Sequence, residues 1–497
     1  MRYFTFGMII FFCFCVPCRG KTYERHGICY AINTDSTVSV IGCKKKATTG
    51  IEVVIPDFIK IRRKNYSVTC LESFAFSNCA FLKSLVLPQS IEKLCRESIV
   101  FCDSLSSIKI PENVSIIEDG AIYGNNNLKE LLIDPLNGFY YSGNNCNGII
   151  RRQDSCLVTG CKNTIISDDV ISIAPDAFRA CEGLQSITIP NNVCEIGFNA
   201  FGDCINLKTV SLNKGIKKIG NAAFRDCVCI DSIMVPDGTK EIGDWAFNGC
   251  SSLRSVSLPN SVEFIGEGVF GDCGALSSLY IDSDNLYYSS YGFSNVIVKK
   301  DGKVLIAGCA TSTVPNDIEV LSYGAFMSCV NLDSISFSDN LKVIEDGAFC
   351  NCTSLKSIKI PDKIKRINEA AFMNCHMLNN IDLPDSLEII GCDAFNNCQS
   401  LKDVVIPDKV WCIDRRAFMN CKVLETVTIP ESVNTIGNYC FAGCNNLKDI
   451  YMYCPVPPGI GSKSFAPRTT LHVKKGSKKT YKKEKYWRRV RIVEDLE

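Results

Sequence analysis

The chain has 497 residues, of which 46% are hydrophobic and 22% charged, a composition that excludes an intrinsically disordered protein. Its 54 basic and 53 acidic residues give a net charge of +1, which excludes a globally basic nucleic-acid-binding protein. The length would ordinarily suggest about three domains, but an array of repeats grows in one dimension and is an exception to that rule.

Residues 1–20 are predicted to be a secretory signal peptide. A basic start and the apolar run 7–16 are followed by small residues, so cleavage is expected after Gly20. Lipid attachment at Cys18 is an alternative, although the preceding Pro17 fits a lipidation site poorly. No later stretch is long and apolar enough to span a bilayer. The sequence therefore predicts an exported protein, either extracellular or on the cell surface.

Residues 21–70 lack any repeat and are predicted to form short strands, for instance Ile28–Ile32 and Ile51–Ile55, separated by polar turns. The first coil of an open solenoid must be covered, so this segment is interpreted as an N-terminal cap.

From Leu71 onward a 23-residue unit repeats, and its pattern A-F-x-x-C-x-x-L-x-x-I-x-I-P is clearest at Ala177–Pro190. A period held this strictly predicts a solenoid. One cysteine of each unit marks the period, and these ladder cysteines are Cys79, Cys102, Cys181, Cys204, Cys227, Cys250, Cys273, Cys329, Cys352, Cys375, Cys398, Cys421 and Cys444. Asn125 takes the cysteine position in the third coil.

Each repeat combines a strand with tight corners. Ile187 and Ile189 alternate with hydroxyl residues, which is typical of a strand with one buried face, and Pro190 ends that strand. The A-F-x-x-C segment is too short for more than one helical or 3-10 turn. Like residues should stack at about 4.8 Å, so the phenylalanines from Phe178 to Phe441 are predicted to form one continuous stack.

Two inserts interrupt the array. The spacing from Asn125 to Cys181 equals the spacing from Cys273 to Cys329, and each is one period plus 33. Each insert continues into two apolar strands joined by a polar turn, which predicts a hairpin that protrudes from the solenoid. The predicted order is signal peptide 1–20, N-terminal cap 21–70, three coils 71–134, hairpin insert 135–170, five coils 171–281, hairpin insert 282–318, six coils 319–454 and basic C-terminal cap 455–497.

The repeat unit resembles the BspA-type leucine-rich repeat, and the Tyr-Tyr-Ser motifs at 140–142 and 287–289 resemble the recurrent insert of that family. The C-terminal segment is similar to the family's cap, so that the resemblance covers roughly residues 28–494. Ile99 and Ile122 depart from it by replacing the phenylalanine of the repeat. The resemblance implies a secreted or surface protein that adheres to host matrix proteins or to other cells. The predicted fold is a β-rich leucine-rich repeat solenoid, a right-handed array of coils with one parallel sheet, short 3-10 or helical turns opposite, two hairpin inserts and terminal caps.

The sequence has 31 cysteines, which in an exported protein raises the possibility of a disulfide framework. Equivalent side chains of stacked coils point in parallel and approach each other poorly for a disulfide, so the ladder is predicted to consist of buried free thiols. The redox state of the other cysteines is left open. The mature chain has no C-x-x-C pair and no clustered histidines, so no metal site and no cofactor are predicted.

Catalysis is not predicted. His376 follows Cys375, which would suit a Cys–His nucleophile, but it occupies the variable position between core residues. No familiar catalytic motif stands in a fitting context. A single reactive thiol of low pKa would revive the enzymatic alternative.

The outward-facing residues of the sheet and the inserts are the predicted protein-binding surface, with clustered tyrosines as anchors. The predicted ligand-binding residues are Tyr280, Tyr287, Tyr288 and Tyr291 near the second insert, Phe139, Tyr140 and Tyr141 in the first, and Met234, Lys359 and Tyr451 on the sheet. An alternative without any ligand explains the same residues equally well. The sheet residues would then form an ordinary solvated face, and the aromatic residues of the inserts would cover the bases of their own hairpins.

The predicted function is that of a protein-binding adhesin or interaction scaffold, with no nucleic-acid partner and no transmembrane segment in the mature chain. The partner would be a host extracellular-matrix protein or the surface of another cell, and the oligomeric state is left open. The alternative is capture of glycans or other polyanions by the basic C-terminal segment, with the solenoid as spacer. Its candidate residues are Lys474, Lys475, Lys478, Lys479, Lys482, Lys483, Arg488 and Arg489.

Overall fold

A computed structural model describes residues 21–34, 36–44, 50–465, 469–487 and 490–497. The predicted signal peptide lies outside the described residues. The chain divides between Leu184 and Gln185 into two compact units, each built from coils of a β-solenoid.

The described part of the first unit contains eighteen short strands. Their bounds are β1 (Thr22–Arg25), β2 (Ile28–Ile32), β3 (Thr37–Cys43), β4 (Ile51–Val54), β5 (Phe58–Ile61), β6 (Lys64–Leu71), β7 (Phe76–Ser77), β8 (Leu82–Val86), β9 (Lys93–Leu94), β10 (Ile99–Val100), β11 (Ser107–Ile110), β12 (Ile116–Ile117), β13 (Ile122–Tyr123), β14 (Glu130–Ile133), β15 (Tyr140–Tyr141), β16 (Ile149–Arg151), β17 (Cys156–Thr159) and β18 (Ser172–Ile173). The two strands predicted before the repeats are thereby confirmed as β2 and β4.

The second unit contains the remaining strands of the described chain, one 3-10 turn at Asp301–Lys303 and one helix. Their bounds are β19 (Ser186–Thr188), β20 (Glu195–Ile196), β21 (Thr209–Ser211), β22 (Lys218–Ile219), β23 (Ser232–Met234), β24 (Glu241–Ile242), β25 (Ser255–Leu258), β26 (Phe264–Ile265), β27 (Ser278–Ile281), β28 (Tyr288–Ser289), β29 (Ile297–Lys299), β30 (Val304–Ala307), β31 (Val320–Leu321), β32 (Val343–Ile344), β33 (Ser357–Lys359), β34 (Arg366–Ile367), β35 (Asn380–Asp382), β36 (Ile389–Ile390), β37 (Asp403–Val405), β38 (Cys412–Ile413), β39 (Thr426–Ile429), β40 (Thr435–Ile436), β41 (Asp449–Met452), β42 (Gly459–Ile460), β43 (Thr470–Lys474), α1 (Lys478–Lys483) and β44 (Arg491–Leu496).

Most regular coils contribute two parallel strands, whereas the sequence predicted one. The predicted strand is present, as in the parallel set β23, β25 and β27. A second strand of two residues ends at the isoleucine before the corner glycine, and β22 of this type pairs in parallel with β20 and β24. Its Ile219 is buried while Lys218 turns outward, so even two residues follow the strand period. Parallel strands therefore line two faces of the coil.

The A-F-x-x-C segment forms linked turns and not the predicted helical or 3-10 turn. The residues five and one positions before the ladder cysteine have positive φ, as at Asn199 (53°) and Asp203 (61°). Left-handed residues interrupt a right-handed helix, and Asn and Asp tolerate that conformation better than most. The backbone N–H of Phe201 then donates to the carbonyl of Ala223 in the next coil at 2.8 Å. The turns are thus hydrogen-bonded between coils, like a third ladder.

Stacked phenylalanines fill the core of the second unit, but they form two runs and not the one continuous stack that was predicted, because the second insert separates Phe270 from Phe326. Rings of neighbouring coils lie nearly parallel, with centroids 5.1 Å apart for Phe201–Phe224 and 5.2 Å apart for Phe326–Phe349. One run extends from Phe201 to Phe270 and another from Phe326 through Phe441 to Phe465.

Ladder thiols act as buried hydrogen-bond donors. The Cys227 thiol donates to the carbonyl of Phe201, the phenylalanine of the preceding coil, at 3.1 Å. The same bond to the equivalent carbonyl is made by Cys102, Cys250, Cys273, Cys352, Cys375, Cys398, Cys421 and Cys444. Asn125, which replaces the cysteine, donates from Nδ2 to the Ile99 carbonyl at 3.0 Å. The ladder position therefore requires a small donor more than it requires sulfur.

The inserts are antiparallel hairpins, but they do not protrude. In the first insert β15, β16 and β17 pair antiparallel, and β17 then pairs in parallel with β18. In the second insert β28, β29 and β30 are antiparallel, and β30 pairs in parallel with β31. Their apolar side chains, such as Ile149, Leu157, Val298 and Leu305, are fully buried. The hairpins were expected to protrude, but burying these side chains requires their strands to extend the sheet.

The C-terminal segment packs against the last coils. Its strands β43 and β44 continue the parallel sheet from β41. Tyr481 of α1 donates its hydroxyl to the Cys454 carbonyl at 2.8 Å, and the indole N–H of Trp487 donates to the Pro458 carbonyl at 3.1 Å. Both rings are buried. The apolar side of this basic segment therefore covers core.

Candidate interaction surface

Charged side chains that form ion pairs cover much of the outer surface of the coils. Lysine and acidic side chains one repeat period apart form ion pairs between adjacent coils, as in Lys365–Glu388 at 3.0 Å and Lys356–Asp333 at 3.2 Å. Such exposed pairs contribute little stability, about 0–1 kcal/mol each. An exposed apolar patch therefore stands out from its surroundings.

A row of outward residues crosses the sheet β23–β25–β27. Strand register places Met234 beside Ser257, and Ser257 beside Tyr280. The Met234 side chain is 80% exposed and the Tyr280 ring is also exposed, so the predicted placement of both residues is confirmed. Lys359 is likewise exposed on β33, where its register partner is Asp382. A carboxylate beside Lys359 makes that part of the face polar.

Both inserts expose apolar side chains, the first at Leu136, Phe139 and Ile165 and the second at the following four residues. Leu286 is 79% exposed, Phe293 is fully exposed, and the rings of Tyr287 and Tyr291 are exposed to 46% and 40%. We call these four residues the insert patch. Tyr291 donates its hydroxyl to the Asp317 carboxylate at 2.8 Å. Burial and then this hydrogen bond raise the pKa of Tyr291, so the phenol stays neutral and the ring is held in place at physiological pH.

Tyr288 and Tyr140 were predicted to bind ligand, and this prediction is wrong in its placement because both rings are buried. The Tyr288 hydroxyl accepts the backbone N–H of Ile265 at 2.9 Å, and that of Tyr140 accepts the N–H of Ile117 at 2.7 Å. Burial raises the pKa of both phenols. These tyrosines anchor the hairpin to the preceding coil, so only their neighbours reach the surface.

The first insert presents a smaller aromatic surface. Phe139 is exposed, whereas Tyr141 is half-buried and donates its hydroxyl to Asp169 at 2.7 Å. The Arg152 guanidinium lies 4.9 Å from the centre of the Tyr141 ring. That cation covers part of the ring and makes the surface more polar than the insert patch.

Tyr451, the last predicted sheet residue, is half-buried beside His472, with ring centroids 4.8 Å apart. His472 bridges two carboxylates, with Nδ1 2.7 Å from Asp495 and Nε2 3.0 Å from Asp449. Burial lowers the pKa of His472, but the two carboxylates outweigh burial and raise it. Tyr451 is therefore part of an internal stack and a weaker candidate than Tyr280.

The basic C-terminal segment keeps four of its predicted lysines exposed, namely Lys475, Lys479, Lys482 and Lys483. Lys474 forms an ion pair with Glu431 at 3.6 Å, and the backbone N–H of Lys478 donates to Glu494. Arg488 and Arg489 lie outside the described residues.

Sequence reasoning missed several exposed apolar residues. Leu286 and Phe293 complete the insert patch, and Val405, Trp245 and Trp411 are exposed elsewhere in the second unit. A search for large apolar residues in polar turns would have found Phe293, which lies between Gly292 and Ser294. Trp245 has a positive φ of 55° at a corner position that the repeat pattern leaves variable.

The suggested Cys375–His376 pair does not form. The Cys375 thiol faces the core and donates to the Phe349 carbonyl, while the His376 ring contacts Asn397 at 3.0 Å. Burial raises the pKa of Cys375 well above its ordinary value, so that thiol is inert. In the part of the chain that the structure describes, no helix is both long and apolar enough to cross a membrane.

Solved structures of bacterial leucine-rich repeat proteins resemble the chain. A leucine-rich cell surface protein of Faecalibacterium prausnitzii is 24% identical, with a TM-score of 0.51, over 86% of this chain and 94% of that one. A Bacteroides ovatus leucine-rich repeat protein is also 24% identical over the same shares, with a TM-score of 0.40. The pneumococcal vaccine antigen PcpA is 19% identical over 96% of this chain and 99% of its own, with a TM-score of 0.47.

Among curated proteins, none matches the sequence. The family model of the BspA type leucine-rich repeat region (6 copies) matches residues 58–146, 161–299, 308–410 and 366–481. Those matches span most of the chain, and they coincide with the coils and turns described above. The chain therefore belongs to the BspA-type leucine-rich repeat family.

Proposed function

We propose that the protein is an exported interaction scaffold that binds a protein partner through the insert patch and the neighbouring row from Met234 to Tyr280. The observation that carries this proposal is the exposure of Leu286, Tyr287 and Phe293 on a braced base. Leaving such side chains in water is unfavourable, and clustered exposed apolar groups are typical of interaction sites. The function would be recognition and not catalysis.

The base of the patch is ordered before any partner arrives. Asn285 accepts the backbone N–H groups of Tyr287 and Tyr288 at 2.8 Å each, and Tyr288 is anchored to Ile265. A rigid surface loses little conformational entropy on binding, which favours affinity. Tyrosine and phenylalanine add large contact areas with few rotatable bonds.

The sheet row ends close to the patch in the chain. Strand β27 carries Tyr280 and ends at Ile281, shortly before Leu286 in the chain. An extended partner could therefore contact both the sheet row and the insert. Export is proposed from the predicted signal peptide, and a surface role agrees with the similar Faecalibacterium protein, which is a cell surface protein. Adhesion to a matrix protein or to another cell would follow from both properties.

The test is a binding screen of the purified protein against immobilised extracellular-matrix proteins and glycans. The variant Tyr287→Ala with Phe293→Ala should weaken binding of a protein ligand at least about tenfold, the scale of an interface hot spot. The matched control, Phe139→Ala in the first insert, should leave that binding unchanged. Equal binding by the double variant would contradict the proposal.

Polyanion capture is the second candidate, favoured by the four exposed lysines at the C-terminus. Replacing Lys479, Lys482 and Lys483 with glutamine would abolish such binding, which would also weaken steeply as salt rises. Binding through the insert patch should change little with salt. A glycan interaction that follows the lysines alone would make the solenoid a spacer.

A further inference from the structure

Two thiols and a carboxylate converge beside the paired ends of β6 and β9 in the first unit. Cys70 is the penultimate residue of β6, and Glu72 follows that strand, so both side chains lie on the side opposite buried Leu71. In the parallel pairing with β9, Leu71 is opposite Leu94, which brings Cys95 into register with Glu72. The backbone N–H of Cys95 donates to the Leu71 carbonyl at 2.9 Å and fixes that register.

The spacing of the three groups matches a tetrahedral metal site. The Sγ atoms of Cys70 and Cys95 are 3.6 Å apart, and Cys95 Sγ is 3.9 Å from Glu72 Oε2. One ligand atom from each residue fits within 4.8 Å of the other two. Zinc binds sulfur at about 2.3 Å and oxygen at about 2.0–2.2 Å, so tetrahedral edges should measure about 3.6–3.8 Å. The two edges at Cys95, 3.6 and 3.9 Å, need adjustments of only a few tenths of an ångström, and the third edge, between Cys70 and Glu72, lies within 4.8 Å.

We propose that Cys70, Glu72 and Cys95 form a binding site for a thiophilic divalent cation, zinc, with water as the fourth ligand. Binding would convert both thiols to thiolates and release two protons, leaving two thiolates and one carboxylate around the cation. The complex then has one net negative charge, and Lys93, the register partner of Cys70, lies beside it.

Solvent reaches part of this cluster. Cys70 and Glu72 are half-buried and Cys95 is 8% exposed, whereas most ladder thiols are fully enclosed in the core. Because each thiol must lose its proton to ligate the cation, metal affinity should rise with pH.

A second cluster provides a built-in control. Glu369, Cys392 and Asp393 also come within 4.8 Å of one another, but Asp393 pairs with the Arg416 guanidinium at 2.7 Å. The positive charge of Arg415 also acts electrostatically on Cys392. Two guanidinium groups already neutralise this cluster and would repel a cation. We expect no metal there.

The test uses the full chain, purified under reducing conditions and loaded with cobalt or zinc. Native mass spectrometry should show one metal per chain, and cobalt should give the thiolate charge-transfer absorption. Cys70→Ser and Cys95→Ser should abolish both signals, while Cys392→Ser should change neither. Glu72→Gln, which leaves both thiols in place, should weaken binding at least about tenfold, because a charged ligand is lost.

Circular dichroism of each variant separates loss of the site from loss of the fold, and Glu72→Gln remains informative if a serine variant unfolds. Retention of the cobalt absorption by Cys95→Ser would overturn the proposal. A Cys70–Cys95 disulfide in the protein as isolated, detected by peptide mapping without reduction, would also overturn it.

Discussion

The two inserts are built on the same inner framework but present different outer surfaces. In both, a buried asparagine accepts two successive backbone N–H groups. Asn137 accepts those of Phe139 and Tyr140, and Asn285 accepts those of Tyr287 and Tyr288. In both, the second aromatic residue is buried and accepts an N–H group from the preceding coil. The inner framework therefore accounts for folding.

The outer positions differ. A tyrosine is hydrogen-bonded to an aspartate in each insert, but Tyr141 precedes the loop and Tyr291 lies within it. In the first insert Arg152 lies over the Tyr141 ring while Leu136 and Phe139 are exposed, whereas the second insert exposes Leu286, Tyr287 and Phe293. Both inserts fold on the same inner framework although their outer residues differ. The outer residues are therefore not what both inserts need in order to fold. The comparison therefore supports the proposal that the outer residues serve recognition, while the inner ones stabilise the insert.

The strongest test of the shared framework is Asn285→Ala beside Asn137→Ala. Asn285 donates to the Val262 carbonyl at 2.8 Å and accepts two N–H groups, so alanine leaves three buried partners unsatisfied. We expect each variant to lose about 4 kcal/mol of unfolding free energy, measured by urea denaturation with hydrogen exchange at the insert. A large loss in only one insert would break the comparison.

Gly308→Ala and Gly160→Ala should have the next largest effect. A Cβ atom at either position would lie only 2.1 Å from the ring of Phe326 or Phe178, so a core ring must move. We expect a loss of about 3 kcal/mol in each, measured by the same denaturation. Gly138→Ala, where no atom lies within 4 Å of the added Cβ, is the control and should change stability little.

Tyr288→Phe and Tyr140→Phe remove only the hydroxyl groups. The N–H groups of Ile265 and Ile117 then lose their acceptors inside the protein, which should cost about 1–2 kcal/mol in each insert. Binding of the partner should not change, because neither ring is exposed. Tyr287→Phe should show the opposite pattern, with unchanged stability and weaker binding of the partner. A loss of binding in Tyr288→Phe would contradict the division between inner and outer residues.

The smallest effect is expected in an alkaline titration of the outer tyrosines Tyr141 and Tyr291. Burial, followed by the bond to aspartate, raises the pKa of Tyr141 and of Tyr291 above the ordinary value of about 10. Their contribution to stability should be complete below about pH 10 and be lost as the pH rises through the folded-state pKa. Ultraviolet absorbance of the phenolate should show Asp317→Asn lowering the Tyr291 transition, with Tyr291→Phe identifying it. If the Tyr291 transition is unchanged in Asp317→Asn, then Asp317 does not raise the pKa of Tyr291.

Much of the fold could be predicted from side-chain periodicity. The regularly spaced phenylalanines and cysteines report burial directly, because each coil places the same residue in the same environment. The second strand was missed because two residues give too short a pattern to recognise. The left-handed corners had a usable signal, since Asp, Asn or Gly precedes most ladder cysteines, as at Asp203 and Asn397.

Side-chain direction limited the prediction of the candidate surface. Adjacent tyrosines in a strand point to opposite faces, and sequence alone did not show which of Tyr287 and Tyr288 faces inward. Cys70 and Cys95 were missed for another reason. They lie more than one repeat period apart in the sequence, and only the pairing of β6 with β9 brings Glu72 and Cys95 together.

The hydrogen bonds between coils also make the repeat period a unit of genetic change. In the second unit, most ladder thiols and stacked rings have their partners in an adjacent coil, as Cys398 does at Phe372. Deleting or duplicating one complete period would leave every such partner type in place and change the array by one layer of about 4.8 Å. A shift of a few residues would misalign all of them. Recombination between repeats can therefore alter length without redesigning the core.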